Sequence, residues 1–260
     1  MVPLLDSTGP ARLARMTTAS PNPLRRFSHG TRFERAVDLA LAIDGRTVLD
    51  FGAGDGTFLR RLEAAAEGRT LVGFDPDASL LSLALSRDHA DIEMVTRLDA
   101  LGDRRFDLVT CFEVLEHFAG TGLVARISEL GDRVAPAGAI LVSVPIETGP
   151  ALLGKSIVRA IDGTRHREAS FGDVVAGVLG ARRTRPAGRG DGYIATHAGF
   201  DHRAIPPAFA RAGWVLTHTA WSPFPGLGAW CNSQVFYTFR RAEPDVERRL
   251  AAPSGNQGMD

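Results

Sequence analysis

The stretch "VLDFGAGDGTFLRRL", residues 48–62, sets Gly52, Gly54 and Gly56 between an apolar run and a helical pattern. Thr47 to Phe51 read as a short buried strand, and Phe58, Leu59 and Leu62 recur at helical spacing. The three glycines thus occupy a strand-to-helix turn. Glycine there permits a positive φ and lets another group come close to the main chain. N–H groups left free at the helix start would face that group. The turn reads as a place where something lies against bare backbone.

The same alternation continues along the chain. Strand candidates fall at 47–51, 70–74, 91–95, 105–111 and 139–144, with helical segments between most of them. This predicts βαβ units and a parallel sheet, an α/β fold. Upstream, "LRRFSHGTRFERAVDLALAI" carries Phe33, Val37, Ala40 and Leu41 at helical spacing and predicts a helix lying on the sheet. Five stretches follow: a loose tail over 1–23, a core over 24–147, an insert over 148–198, a return to the sheet over 199–240 and a polar tail over 241–260. The insert has helical pieces at 151–161 and 173–180, and "SQVFYTFRR" gives the last strand. An insert after the fifth strand sits above the sheet's carboxyl edge, where open α/β folds bind ligands. It is read as a cap over a substrate pocket.

Composition narrows the class. The 260 residues are 44% hydrophobic with a formal net charge of zero, which gives no general attraction to nucleic acid or membrane. No apolar run approaches the ~18 residues of a membrane span, and the N-terminus lacks the pattern of a signal peptide. The two cysteines, Cys111 and Cys231, suggest neither a disulfide framework nor a cysteine metal cluster. A cytoplasmic enzyme is the expectation.

Two adenosine cofactors compete for the glycine turn. The dinucleotide fingerprint G-x-G-x-x-G/A is not met, because Thr57 stands where the third small residue belongs. "LVGFDPDASLL" ends a strand in Asp75, about 20 residues past Gly54, and a carboxylate there can accept from both ribose hydroxyls. That feature is common to both cofactors. The further stretch "FDLVTCFEVLEHF", at the distance of a fourth strand, decides between them.

Together with "VLDFGAGDGTF", "GFDPDASLL" and "GDRVAPAGAILVSVP", it resembles the class I S-adenosylmethionine-dependent methyltransferases. Within them it is similar to the small-molecule branch that includes the ubiquinone-pathway O-methyltransferases. The resemblance covers about 28–147 and recurs weakly at 197–240. It implies a Rossmann-like, mostly parallel sheet with an antiparallel last strand, a helical cap between strands five and six, and S-adenosyl-L-methionine as cofactor. By the same resemblance Asp50 would orient the methionyl ammonium, and Gly52 and Gly54 would give backbone access. Asp75 would take the ribose and Asp99 the adenine amino group. Phe112 and Glu113 would line the cofactor's other side, and Arg32 could pair with the methionyl carboxylate. Ala137 departs from the family's usual second glycine, at a turn away from the cofactor.

Simpler readings stand beside these. Asp50 could cap its own loop, Asp75 could cap the helix that Pro76 opens, and Asp99 could be an ordinary loop aspartate. Cys111 reads as packed rather than reactive. For a general base, which suits an imidazole, the candidates are His197, His117 and His166. His117 stands in the family's "EH" pair, and His197 opens "HAGFDHRAIPPAFARAGW". A metal site from His166, His197 and His202 has no diagnostic spacing. Residues 151–211 hold ten Lys or Arg against five Asp or Glu, which points to an anionic small-molecule acceptor or to a solvated loop. A nucleic-acid methyltransferase would need an Asn/Asp-Pro-Pro-aromatic motif after strand four, where this chain has "CFEVLEH". The remaining alternatives are a non-catalytic partner subunit and an NAD-dependent sugar-modifying enzyme. Oligomeric state is not legible.

Overall fold

A computed structural model describes residues 23–80, 92–147, 193, 194, 196 and 199–242, with side chains from Gly30 onward. The expected cap, with His166 and His197, lies outside these residues except for Tyr193, Ile194 and Thr196.

The described chain runs α1 (Pro23–Leu41), β1 (Thr47–Phe51), α2 (Thr57–Ala65), β2 (Thr70–Phe74), β3 (Ile92–Val95), β4 (Phe106–Phe112), α3 (Gly120–Asp132), β5 (Val134–Pro145), α4 (Ile205–Arg211), β6 (Trp214–Ser222) and β7 (Gln234–Arg241). The seven strands form one sheet in the order β3-β2-β1-β4-β5-β7-β6. Neighbours from β3 to β5 pair in parallel, and β7 runs antiparallel to both β5 and β6. The expected α/β sheet with an antiparallel last strand is therefore present. From β1 the chain first winds outward to β3, then crosses to β4 on the other side. The carboxyl ends of β1 and β4 consequently flank a topological switch point, where a crevice opens.

Alternation along each strand divides the core. Val48, Leu108, Leu141 and Phe236 join Phe58, Leu59 and Leu62 of α2 and Ala36, Val37 and Ala40 of α1 on one face. Leu49, Val109, Val142 and Phe239 join Ile127 and Leu130 of α3 and Phe209 of α4 on the other. A parallel strand covered on both faces is nearly all apolar, so the aspartate in "TVLDF" stands out within β1.

Strand five starts earlier than its apolar run predicts, at Val134 rather than 139. Val134 pairs with Phe106 but Ala139 with Leu108, so the Pro–Ala–Gly stretch loops out inside the ladder instead of preceding it. Gly138 is needed there: a Cβ would sit 2.8 Å from the carbonyl oxygen of Asp107.

Candidate active site

Asp50 is the penultimate residue of β1, level with Gly73 on β2 and Thr110 on β4. Its carboxylate is only 3% exposed and accepts a hydrogen bond from Thr110 Oγ1 at 2.7 Å. Burial raises its pKa to about 7; the Thr110 hydroxyl opposes that rise and the Asp75 charge adds to it.

The glycine turn follows at once. Gly52, Gly54 and Gly56 take φ of 84°, 56° and 71°. Within the turn itself most donors are used. Gly52 and Ala53 donate to the Phe74 carbonyl at 2.8 and 3.0 Å, and Gly56 donates to Ala53 at 2.9 Å. Gly54 donates to Asp75 Oδ2 at 2.8 Å, and Thr57 to Asp55 Oδ1 at 3.1 Å. What the glycines supply is shape. A Cβ on Gly52 would come within 2.4 Å of Val114 Cγ2, so this residue is bare for the sake of a protein neighbour. A Cβ on Gly54 would meet no described heavy atom within 4 Å. The turn is closed at Gly52 and open at Gly54.

The reading of Asp75 as cap of a helix opened by Pro76 is corrected: the helix starts at Ala78 and Asp77 caps it, accepting from the Ser79 N–H at 2.9 Å. Asp75 Oδ1 accepts from the Asp77 N–H at 2.9 Å, one step before the helix, while Oδ2 ties down Gly54. Burial raises its carboxyl above the ordinary value, and the two backbone N–H groups oppose that. Asp99 lies on a 3-10 turn after β3, with its side chain 64% exposed and bound by the Arg97 guanidinium, whose hydrogen bond holds the carboxyl below its ordinary value.

Across the switch point, the Phe112 ring meets Phe58 and Phe236 edge-on at 4.8 and 6.0 Å and packs toward the helices, partly exposed. Glu113 is the one non-glycine residue with positive φ among the described residues, at 57°. Its N–H donates to the Ser143 carbonyl at 3.1 Å. One carboxylate oxygen accepts from Gln234 Nε2 at 2.9 Å, and the other lies 3.5 Å from Arg32 Nη1. Arg32 does reach the carboxyl edge, with Glu113 as its partner.

His117 closes a 3-10 turn beyond β4. Its Nδ1 is 3.0 Å from the Ile194 carbonyl oxygen and its ring stacks on Tyr193 at 5.4 Å. A carbonyl can only accept, so Nδ1 carries the proton and Nε2 is the atom that can gain one. The returning end of the insert is thereby anchored to this histidine. Among the described residues no cluster of three or more His, Cys, Asp or Glu is placed to hold a metal, and no helix is long and apolar enough to cross a membrane. Buried Cys111 has its thiol pushed well above the ordinary value by burial. A thiol reagent is accordingly expected to label exposed Cys231 in the folded protein and Cys111 only after unfolding, as read by peptide mass mapping.

Sequence reasoning missed Thr110, Ser143, Val114 and Gln234. Thr110 and Ser143 sit in apolar strands where a hydroxyl gives no signal of its partner. Gln234 touches Glu113 across 121 residues of chain, a contact that strand order alone brings about.

Residues 25–174 match the family described as a methyltransferase domain. The chain is 33% identical over 129 residues to the ubiquinone biosynthesis O-methyltransferase of Azorhizobium caulinodans, covering 46% of each. Over 135 residues it is 30% identical to the enzyme of the same name from Rhodopseudomonas palustris, covering 47% of this chain and 50% of that one. The matches thus span about half the length of these relatives. A solved neighbour is the magnesium protoporphyrin IX methyltransferase of Synechocystis PCC 6803 with bound SAH, with a TM-score of 0.59 at 18% identity over 91% of this chain and 95% of that one. That likeness concerns the fold alone. Since the domain match takes in more than half of its length, this chain belongs to the methyltransferase domain family, in the class I S-adenosylmethionine-dependent superfamily.

Proposed function

We propose that the protein transfers a methyl group from S-adenosyl-L-methionine to a hydroxyl or carboxyl of a small, anionic or quinone-like acceptor. The observation that carries this reading is the pairing of two acidic side chains, Asp50 and Asp75, with a glycine turn that is open at Gly54 beside the switch point. When bound, the sulfonium supplies an activated methyl group with a neutral leaving group.

The chain's own residues supply positions and charge. Asp50, ionised, faces the methionyl ammonium. Asp75 keeps lone pairs beyond its two backbone bonds and accepts from the ribose hydroxyls. Asp99 turns from Arg97 to the adenine amino group, and solvent exposure makes that exchange cheap. Gly54 allows close approach, and the Phe112–Glu113 backbone borders the other side. His117 takes the acceptor's proton at Nε2, with Nδ1–H held by Ile194. His197 and His166 are the other base candidates, and the basic insert favours an anionic acceptor. Holding the acceptor atom in line with the methyl group is the main source of rate.

The test is calorimetry with S-adenosylhomocysteine and NAD, followed by methyl-labelled S-adenosylmethionine with a panel of phenols, carboxylates and phosphorylated sugars. Binding of S-adenosylhomocysteine alone, with label in one small-molecule class, supports the reading. Preference for NAD, or label in RNA or protein, overturns it. Tight binding without transfer to any acceptor would instead favour a non-catalytic partner subunit.

A further inference from the structure

Gln234 is the first residue of β7, 4% exposed, opposite Pro145 at the end of β5. Its amide nitrogen has two hydrogens, and both are used: one bond goes to Ser143 Oγ at 2.6 Å and one to Glu113 Oε1 at 2.9 Å. Ser143 is fully buried. Glu113 in turn holds a left-handed backbone, φ 57°, which a residue with a Cβ adopts only when its surroundings impose it. Among the ties that impose it are the N–H to Ser143 O, Oε1 to Gln234, and Oε2 beside Arg32. The chain of contacts Ser143–Gln234–Glu113–Arg32 joins β5, β7, the end of β4 and α1 along the edge that carries Asp50.

We propose that Gln234 is a positioning residue for the cofactor's amino-acid end, acting through Glu113 on Arg32. This rests on the S-adenosylmethionine reading above. By fixing Oε1, the amide turns the other oxygen toward Arg32 and holds the guanidinium at the mouth of the switch point. A guanidinium has five N–H donors in a rigid fork, so one carboxylate oxygen at 3.5 Å leaves donors to receive a second carboxylate, that of the methionyl group. Without Gln234 the Glu113 side chain loses the bond that fixes Oε1, and its carboxylate can turn further onto Arg32 and compete with the methionyl carboxylate. The strained backbone loses one of its restraints as well.

The test compares two ligands by titration calorimetry on the full chain. S-adenosylhomocysteine has the amino-acid end, and 5′-methylthioadenosine lacks it. Gln234→Met fills the same space without donors, and Gln234→Glu places a carboxylate against Glu113. Either is expected to weaken S-adenosylhomocysteine about tenfold, the worth of one hydrogen bond to a charged group, and to leave 5′-methylthioadenosine unchanged. In a Glu113→Ala background, Gln234→Met should have no further effect on either ligand. Equal weakening of both ligands, or an additive effect in the Glu113→Ala background, would reduce Gln234 to a packing residue and overturn the proposal. So would unchanged S-adenosylhomocysteine binding in the two variants. Failure of the wild-type protein to bind either ligand would overturn the cofactor reading itself, a result distinct from all of these.

Discussion

Asp50→Asn is expected to weaken S-adenosylhomocysteine about a hundredfold while making the ligand-free protein more stable above pH 7. Both effects have one cause. The carboxylate is buried with Thr110 as its hydrogen-bond donor among the described residues, and its pKa of about 7 lies above the ordinary 3.8. A carboxyl whose folded pKa is raised works against folding once it ionises. That cost begins as pH passes the unfolded value near 4, grows through the folded value near 7, and is complete above it. The shift corresponds to a cost on the order of 4 kcal/mol at pH 8, of which a neutral amide recovers a part. Asparagine keeps an oxygen for the Thr110 hydroxyl, so the fold has no reason to fail. Its lost charge, however, is the one that faces the methionyl ammonium, and removing one member of a buried charge pair costs ~2–5 kcal/mol of binding.

The same argument gives a pH dependence for the wild type. The bound ammonium favours ionised Asp50, so binding below pH 7 must expel its proton. Affinity for S-adenosylhomocysteine should rise by up to about tenfold per pH unit from 5.5 to 7 and level off above. Calorimetry in two buffers of different ionisation enthalpy should detect the released proton at pH 6 and none in Asp50→Asn. A flat wild-type profile would remove Asp50 from the ammonium site. A variant that binds normally would do the same.

What could be read from the sequence was whatever short-range pattern encodes. The glycine turn, flanked by a largely apolar strand and a helical repeat, sets a βα unit without knowledge of the rest of the chain, and repeating that unit gives the parallel sheet. Asp75 stood out as the acid that ends β2, but the helix cap two residues on belongs to Asp77, and the tie from Asp75 to Gly54 joins positions 21 residues apart. Phe112 was harder. It shares a strand face with Leu108 and Thr110, and that parity sends its ring to Phe58 and Phe236. Its backbone is left as the part that can border a ligand. Arg32 lies beside a protein carboxylate, that of Glu113, a contact that nothing near it in sequence announces. The Gln234 contact depends on β7 inserting between β5 and β6, a matter of topology rather than local propensity.

The two glycines of the turn should fail for different reasons when each gains a methyl group. Gly54→Ala places a Cβ where no described atom lies within 4 Å, at φ 56°. The left-handed backbone costs about 1–2 kcal/mol, so the melting temperature should fall by only a few degrees. The added methyl group occupies the space in which the cofactor's chain is proposed to run, and S-adenosylhomocysteine should weaken by about a hundredfold. Gly52→Ala, at φ 84°, pushes its Cβ to 2.4 Å from a Val114 methyl group. Valine is stiff at χ1, and its neighbour is the strained Glu113, so the backbone must move and the loss of stability should reach about 3 kcal/mol or more. Adding Val114→Ala removes the colliding methyl group and should restore part of that stability in the double variant, a coupling that thermal denaturation reads directly. The same partner change should do nothing for Gly54→Ala. If Val114→Ala rescued both glycine variants equally, or if Gly54→Ala bound S-adenosylhomocysteine as the wild type does, the open side of the turn would not be the cofactor's side.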